Sequence, residues 1–522
     1  MGRSVVLLLC LVVLAAAPPG CGGSESTPLA RESPASEPSA GPSVAAEDSS
    51  LLAPGDKLAY VSAGSVGWVA GDIWVLHSDG SRQRLTEDGR NVTPRWSPNG
   101  RWLLFLKDLG GPHENVEIYS PEYALWVAQP DTGEVRQLDA GPVGSTVWSP
   151  VDSRIAYTKG SPYGEEGGAS LWLASPEDGS AERLLGPDFN PHDLAWSPDG
   201  RRIAVARYVR PDYVNVTPPE PVDIRYSPDS TLWVLSWQPD GSTELQRLFS
   251  RDELEEALFR ALDEAPRPGS AYGPVGVEGL TWSPQGDWLT FFASSLSGSL
   301  SADGLTLFTV RSDGAQLIYH GVMLTSTGLV DWSPQGDRLA VTLGGGREVS
   351  VGKRIALVEP EVPGAQVLTE DPERLTGPAS TPISDRSDAH PSWSPDGSRI
   401  AFQATKASDV TVNLHVGKVE DPKEGIWVVD ADGSNPRQLT ADTDFLDFRP
   451  LWSADGQHIL FVRTTGSEVE DWSSERAEIW MVDADGEDPY AVVTDLRRVG
   501  SYYGLFRWQD FFDWYQAPLI SP

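Results

Sequence analysis

One phrase recurs along the chain and limits what it can fold into more than any other feature. It reads SWSPDGSRIAF at 392–402, and near copies stand at 95–105 (RWSPNGRWLLF), 147–157 (VWSPVDSRIAY) and 195–205 (AWSPDGRRIAV). Others follow at 281–291 (TWSPQGDWLTF), 331–341 (DWSPQGDRLAV) and 451–461 (LWSADGQHILF), with a degraded RWQD at 507–510. Self-similarity of this kind means that each copy is one supersecondary unit. Such a unit cannot bury its apolar face alone and must stack on its neighbours.

The phrase has a local logic. In Ser394-Pro395-Asp396-Gly397 the proline presets φ, the aspartate can bond the nearby backbone, and the glycine accepts positive φ. A turn of this type joins two adjacent antiparallel strands. A second apolar run follows, as in Ile426-Trp427-Val428-Val429, then an Asp-Gly turn at 432–433 and a polar strand, Pro436 to Thr440. The Asp-Gly pairs at 79–80 and 485–486 stand in the same place. Short runs rich in Val, Ile, Phe and Trp and bounded by such turns are strands. Four strands per unit at this period predict the blade of a β-propeller.

The anchor tryptophans are expected at 96, 148, 196, 282, 332, 393, 452 and 508. The second-strand series begins earlier, with Leu58-Ala59-Tyr60-Val61, and ends with Ile459-Leu460-Phe461-Val462. The two series are out of phase, as in a ring whose C-terminal strand completes the N-terminal blade. The expectation is an all-β fold: a single eight-bladed β-propeller of four-stranded antiparallel blades, with seven blades the alternative if one unit is malformed. The ring is expected to span 56–522, with an insertion at about 208–277.

WSPDGxxIAF followed by IWVVDADGSNPRQLT resembles the repeats of the TolB-type, WD40-like propellers of bacterial envelopes, over about residues 56 to 515. The resemblance implies the fold. It leaves function open, because such blades occur in scaffolds, binding proteins and the non-catalytic domains of peptidases. It implies a protein or peptide partner among envelope lipoproteins or transport components. No separate N-terminal domain of the TolB kind precedes the repeats.

The N-terminal segment fits export. Arg3 precedes an apolar stretch from Val5 to Ala17, and Pro18-Pro19-Gly20-Cys21 resembles a bacterial lipoprotein signal with Cys21 as the lipidated residue. Cleavage after Ala15-Ala16-Ala17 is the alternative. Of the 2 Cys, Cys10 would leave with residues 1–20, so a use for Cys21 is needed and lipid supplies it. Residues 21–55 are rich in Ser, Pro, Ala and Glu and read as a disordered tether. The net charge of −35 excludes phosphate-neutralising nucleic-acid binding and charge-driven docking on anionic lipid. A monomeric propeller held at the cell envelope by its lipid is the expected state.

The interval from Trp196 to Trp282 is 86 residues, against 48–61 elsewhere. Ser250-Arg251-Asp252-Glu253 is a capping box and predicts a helix to about Glu264, with Leu254, Leu258, Ala261 and Leu262 on one face. No G-x-S-x-G elbow occurs, and the chain ends at Pro522 without room for a hydrolase domain. The 7 His show no metal-ligand spacing, and Asp430, Asp432, Asp483 and Asp485 read as turn residues, so neither cofactor nor metal is expected. Trp74, Trp126, Trp172, Trp233, Trp427 and Trp480 recur once per unit and are read as packing residues.

The candidate ligand-binding residues are those just before the anchor strand, where the copies stop agreeing: Arg95, His192, Asp193, Glu278, His390 and Arg449. They would rim one mouth of the channel and bind a peptide or polar ligand without catalysis. A solvated rim is the plain alternative. An enzyme acting on glycans in the funnel, or a small-ligand sensor, are the competing classes.

Overall fold

The computed structural model describes residues 51–62, 70–110, 122–162, 168–209, 212–214, 223–225, 231–261, 276–294, 304–324, 329–344, 353–369, 386–406, 425–441, 445–465, 476–497 and 511–519. The expected signal, Cys21, the tether up to residue 50 and Trp508 lie outside them. Among the described residues the protein is all-β, a succession of antiparallel sheets with one helix.

Each tryptophan phrase makes the first two strands of a four-strand unit. In one unit Arg386–Trp393, Arg399–Lys406, Gly425–Asp430 and Arg437–Gln438 pair in that order. The register repeats between units: Trp393 faces Ile400, Trp96 faces Leu103 and Trp452 faces Ile459. The turn has the expected chemistry. Gly397 N donates to Ser394 O at 2.9 Å, and Asp396 Oδ1 accepts from Ser394 Oγ at 2.6 Å and Ser398 N at 3.0 Å. Those bonds hold the Asp396 carboxyl down to about 2. Gly397 has φ 70° and lies against Gln335 of the preceding turn, so a side chain there would meet both strain and a neighbour.

The second strands are buried on both faces. Leu58 to Val61 and Ile400 to Phe402 are all core residues, because each sheet is covered on either side. The seams between units repeat as well. In five units the anchor indole Nε1 donates to the carbonyl of the residue before the preceding anchor, whereas Trp332 Nε1 donates to Thr281 Oγ1 at 3.3 Å. The pairs are Trp96 to Asp513 (3.2 Å), Trp148 to Arg95 (3.0 Å), Trp282 to Ala195 (3.0 Å), Trp393 to Asp331 (3.1 Å) and Trp452 to Ser392 (3.1 Å). A cation from the end of the preceding turn lies over the same ring: Lys57 on Trp96, Arg202 on Trp282, Arg338 on Trp393 and Arg399 on Trp452, at 4.6–5.6 Å. Each such contact contributes about 0.5–2 kcal/mol depending on desolvation.

The two ends of the described chain meet in one sheet. Lys57 to Tyr60 pair antiparallel with Phe512–Tyr515, and Leu58 faces Trp514. Trp514, not Trp508, therefore holds the anchor register. RWQD itself lies outside the described residues; the turn that leads into this second strand is Ala53-Pro54-Gly55-Asp56, at the other end of the chain. Asp56 N donates to Ala53 O at 3.0 Å, and the Asp56 carboxylate accepts from Trp514 Nε1 at 3.1 Å and Ala517 N at 2.8 Å. Packing begins before residue 56, since Leu52 is buried with Leu58, Tyr60 and Phe512.

The expected insertion is divided by regular structure. Leu232–Trp237 and Thr243–Arg247 are the third and fourth strands of the Trp196 unit, preceded by a ribbon pairing Asp212–Val214 with Asp223–Arg225. The helix runs Arg251–Ala261, and residues 262–264 lie outside the described ones. Glu253 accepts from Ser250 N at 2.6 Å and its own N donates to Ser250 Oγ at 3.3 Å, closing the capping box. Leu254 docks among Leu232, Leu248, Phe249, Val277 and Phe308.

Candidate functional site

The candidate residues sit on the anchor strands at a recurrent irregularity. The ladder slips between Val92 and Arg95, between Glu278 and Thr281, between Ala389 and Ser392, and between Phe448 and Leu451. Each slip is a β-bulge three residues before the anchor. The position three before it is Thr93, Gly279, His390 or Arg449, with φ of 56°, 69°, 54° and 49°. A bulge re-aims the side chain it carries. Left-handed backbone costs a residue with a Cβ about 1–2 kcal/mol, a cost glycine avoids.

Two of the six candidates, Arg95 and Arg449, act on one carboxyl that the sequence reading missed, and a third, His390, lies beside Arg449. Asp513 accepts from Trp96 N at 2.7 Å, and burial pushes its carboxyl up while the charges of Arg95 and Arg449 draw it down. Arg449 lies over the Phe512 ring at 5.8 Å and acts electrostatically on His390. His390 is buried; burial, with Arg449 beside it, lowers its imidazole to about 3. It is neutral at physiological pH, and its Nδ1 has no partner. Arg95 Nη1 donates to Pro94 O at 2.7 Å. Anchor strands thus present the cations Arg449 and Arg95 with the Asp513 carboxyl, and neutral His390 beside Arg449.

The other three form a separate group in the Trp196 and Trp282 units. His192 Nε2 meets Val277 O at 2.7 Å, and burial lowers its pKa against the opposing pull of Asp193. Asp193 is occupied by backbone. Its Oδ2 accepts from Gly279 N at 2.8 Å and Leu280 N at 3.2 Å, and its Oδ1 from Leu194 N at 2.9 Å. Asp193 therefore bridges two units. Glu278 lies half-buried beside Gly279.

Among the described residues no group of three or more His, Cys, Asp or Glu is arranged to hold a metal ion. Asp432 serves its turn, accepting from Ser434 N at 2.9 Å, and Asp430 accepts from Asn435 Nδ2 at 2.7 Å. The third-strand tryptophans do more than pack. Trp126, Trp172, Trp233 and Trp480 carry Lys107, Lys159, Arg207 and Arg463 over their rings at 4.5–6.0 Å. The signal lay in the sequence as a cation recurring at the end of the second strand.

No family model matches the chain, and no curated protein sequence matches it. Among solved structures it is similar to TolB from Acinetobacter baumannii, at 11% identity over 58% of this chain and 61% of that chain, with a TM-score of 0.32. It is also similar to dipeptidyl peptidase 4 of Porphyromonas gingivalis, at 11% identity over 84% of this chain and 57% of that one (TM-score 0.48). An oligogalacturonate lyase in complex with manganese is similar at 15% identity over 82% of this chain and 98% of that one (TM-score 0.41). The matched region spans less than two thirds of the TolB chain and of the peptidase.

Proposed function

We propose that the chain is a single eight-bladed β-propeller closed by its C-terminal strand, exported and lipidated at Cys21, that binds a protein, peptide or polar ligand at the anchor-strand bulges. On this reading it acts by recognition at the cell envelope, without covalent chemistry. The observation that carries it is the identity of the bulge residues. One unit has Gly279 at the left-handed position, whereas two others have His390 and Arg449 there. Their side chains are held despite a backbone cost of about 1–2 kcal/mol each. Arg449 joins Arg95 in a cationic arc on a chain of net charge −35. Such a local reversal of charge gives selectivity for a complementary partner and speeds encounter.

The test is affinity capture from the protein's own envelope fraction using the lipidated protein, in parallel with His390→Gly and Arg449→Gly variants. Partners retained by the native protein and lost from both variants support the reading. Capture unaffected by either variant, or turnover of a glycan panel by the native protein alone, overturns it in favour of the enzyme alternative. A small-ligand sensor would instead show saturable binding with no captured protein.

A further inference from the structure

A cavity of about 310 Å³ opens beside the Trp126–Lys107 pair, and Thr86, Asp88, Asn91 and Val135 also line it. It adjoins the first ladder slip, where Asn91 pairs with Lys107, but no bulge residue lines it and it does not rest on the reading above. Two other units show a ring that fills the corresponding place. In the Trp452 unit Arg463 lies between Trp480, at 4.5 Å, and Phe445, at 5.1 Å. In the Trp196 unit Arg207 lies between Trp233, at 6.0 Å, and Phe189, at 5.1 Å. Phe445 and Phe189 each stand seven residues before their anchor tryptophan. In the Trp96 unit that position is Gly89. Lys107 has Trp126 beneath it at 4.8 Å and an ion pair with Asp88, and no phenylalanine is available at that position to close the sandwich. The Trp148 unit also has a glycine there, Gly141, but the Tyr123 carbonyl lies where its side chain would be.

The cavity wall also holds an unused polar atom. Asn91 is 1% exposed and donates from Nδ2 to Asp88 Oδ1 at 2.6 Å and Thr86 Oγ1 at 2.9 Å, while its Oδ1 has no partner. A buried acceptor left unsatisfied keeps its desolvation penalty, which a donor can recover. We propose that this cavity binds a phenolic ring. The ring lies over Lys107 where Phe189 and Phe445 lie over their arginines, and its hydroxyl donates to Asn91 Oδ1. The ring comes either from a free phenol or from a tyrosine side chain of a peptide.

Isothermal titration with p-cresol and with N-acetyltyrosinamide tests this, using 4-methylcyclohexanol and N-acetylcyclohexylalaninamide as saturated controls. One saturable site is expected, at least tenfold stronger for the aromatic than for the saturated ring. Lys107→Met, which keeps the stem and loses the cation, should weaken binding at least tenfold. Val135→Phe should abolish it by filling the cavity without altering charge. Equal affinity of the two aromatic probes assigns the site to the free ring, and stronger binding of the amide assigns it to a peptide side chain. Absence of saturable binding by both aromatic probes, equal binding of the saturated rings, or indifference to Val135→Phe overturns the proposal.

Discussion

Arg449 offers a direct measure of what its position costs. It occupies φ 49° in a strand bulge, where Gly279 occupies 69° in another unit. The informative comparison is Arg449→Gly against Arg449→Ala, because both delete the guanidinium and its contact with Phe512 and differ only in the Cβ. Glycine normally destabilises a strand interior by roughly 0.5–1 kcal/mol relative to alanine through the entropy of the unfolded chain. Relief of left-handed strain opposes this with about 1–2 kcal/mol. The difference favours glycine by roughly 0.5–1 kcal/mol. Ala389, on the same strand type and buried at 1% exposure, is the control: Ala389→Gly should be destabilising by the ordinary margin or more. Equilibrium unfolding in urea, compared at similar slopes, reads the differences. If Arg449→Gly unfolds earlier than Arg449→Ala, the backbone is not strained there and the case for a retained functional side chain fails.

Burial pushes the Asp331 carboxyl up to about 7, against the downward pull of the Trp393 and Trp332 N–H groups. A folded value above the unfolded value means that its contribution is full at low pH and is lost as pH rises through about 7. Asp331→Asn should therefore gain on the native protein between pH 5 and pH 8, by a few kcal/mol at ~1.4 kcal/mol per pH unit; a gap constant with pH refutes this. Asp447 and Arg463 form a bidentate pair at 2.7 and 2.8 Å with side chains 3% and 6% exposed. Asp447→Ala should cost about 3–5 kcal/mol by stranding the cation, and a joint replacement by Leu and Met should recover most of it. Asp56→Ala removes the acceptor of Trp514 Nε1 and Ala517 N. It should cost about 1–3 kcal/mol and expose residues 511–519 to limited proteolysis, whereas unchanged cleavage would show that Asp56 does not hold the Phe512–Tyr515 strand.

The strands and turns were legible because their chemistry is local. Pro395, Asp396 and Gly397 act within six residues, and the alternation of apolar runs follows from burial on both faces. The seam was only half legible. The tryptophans announced themselves, but the cations before the second strands, such as Arg202 and Arg399, resemble ordinary surface charges until the neighbouring ring is placed beneath them. Asp513 went unseen for the same reason: the turn that belongs with its strand holds Asp56, 458 residues from Trp514 in sequence, so there is no contiguous phrase to match. Of the candidate residues, the sequence picked out the variable positions, yet the division into Arg95, His390 and Arg449 on one side and His192, Asp193 and Glu278 on the other depends on strand pairing alone.

Those variable positions are free to differ because the contacts repeated at the seam do not use them. Inter-unit attachment rests on the anchor indole, the carbonyl before the preceding anchor, and the cation stacked on the ring, all of which lie on the anchor side of the bulge. The position three residues before the anchor is outside that arrangement, and its occupants include Thr93, Ser145, Asp193, Gly279, His390 and Arg449. Where structure needs it, it is recruited, as when Asp193 caps Gly279 N and Leu280 N across a seam. Where structure does not, glycine is the residue of least cost at positive φ. His390 and Arg449 both carry a side chain at positive φ. His390 is buried and neutral, and Arg449 shares the field of Asp513 with Arg95.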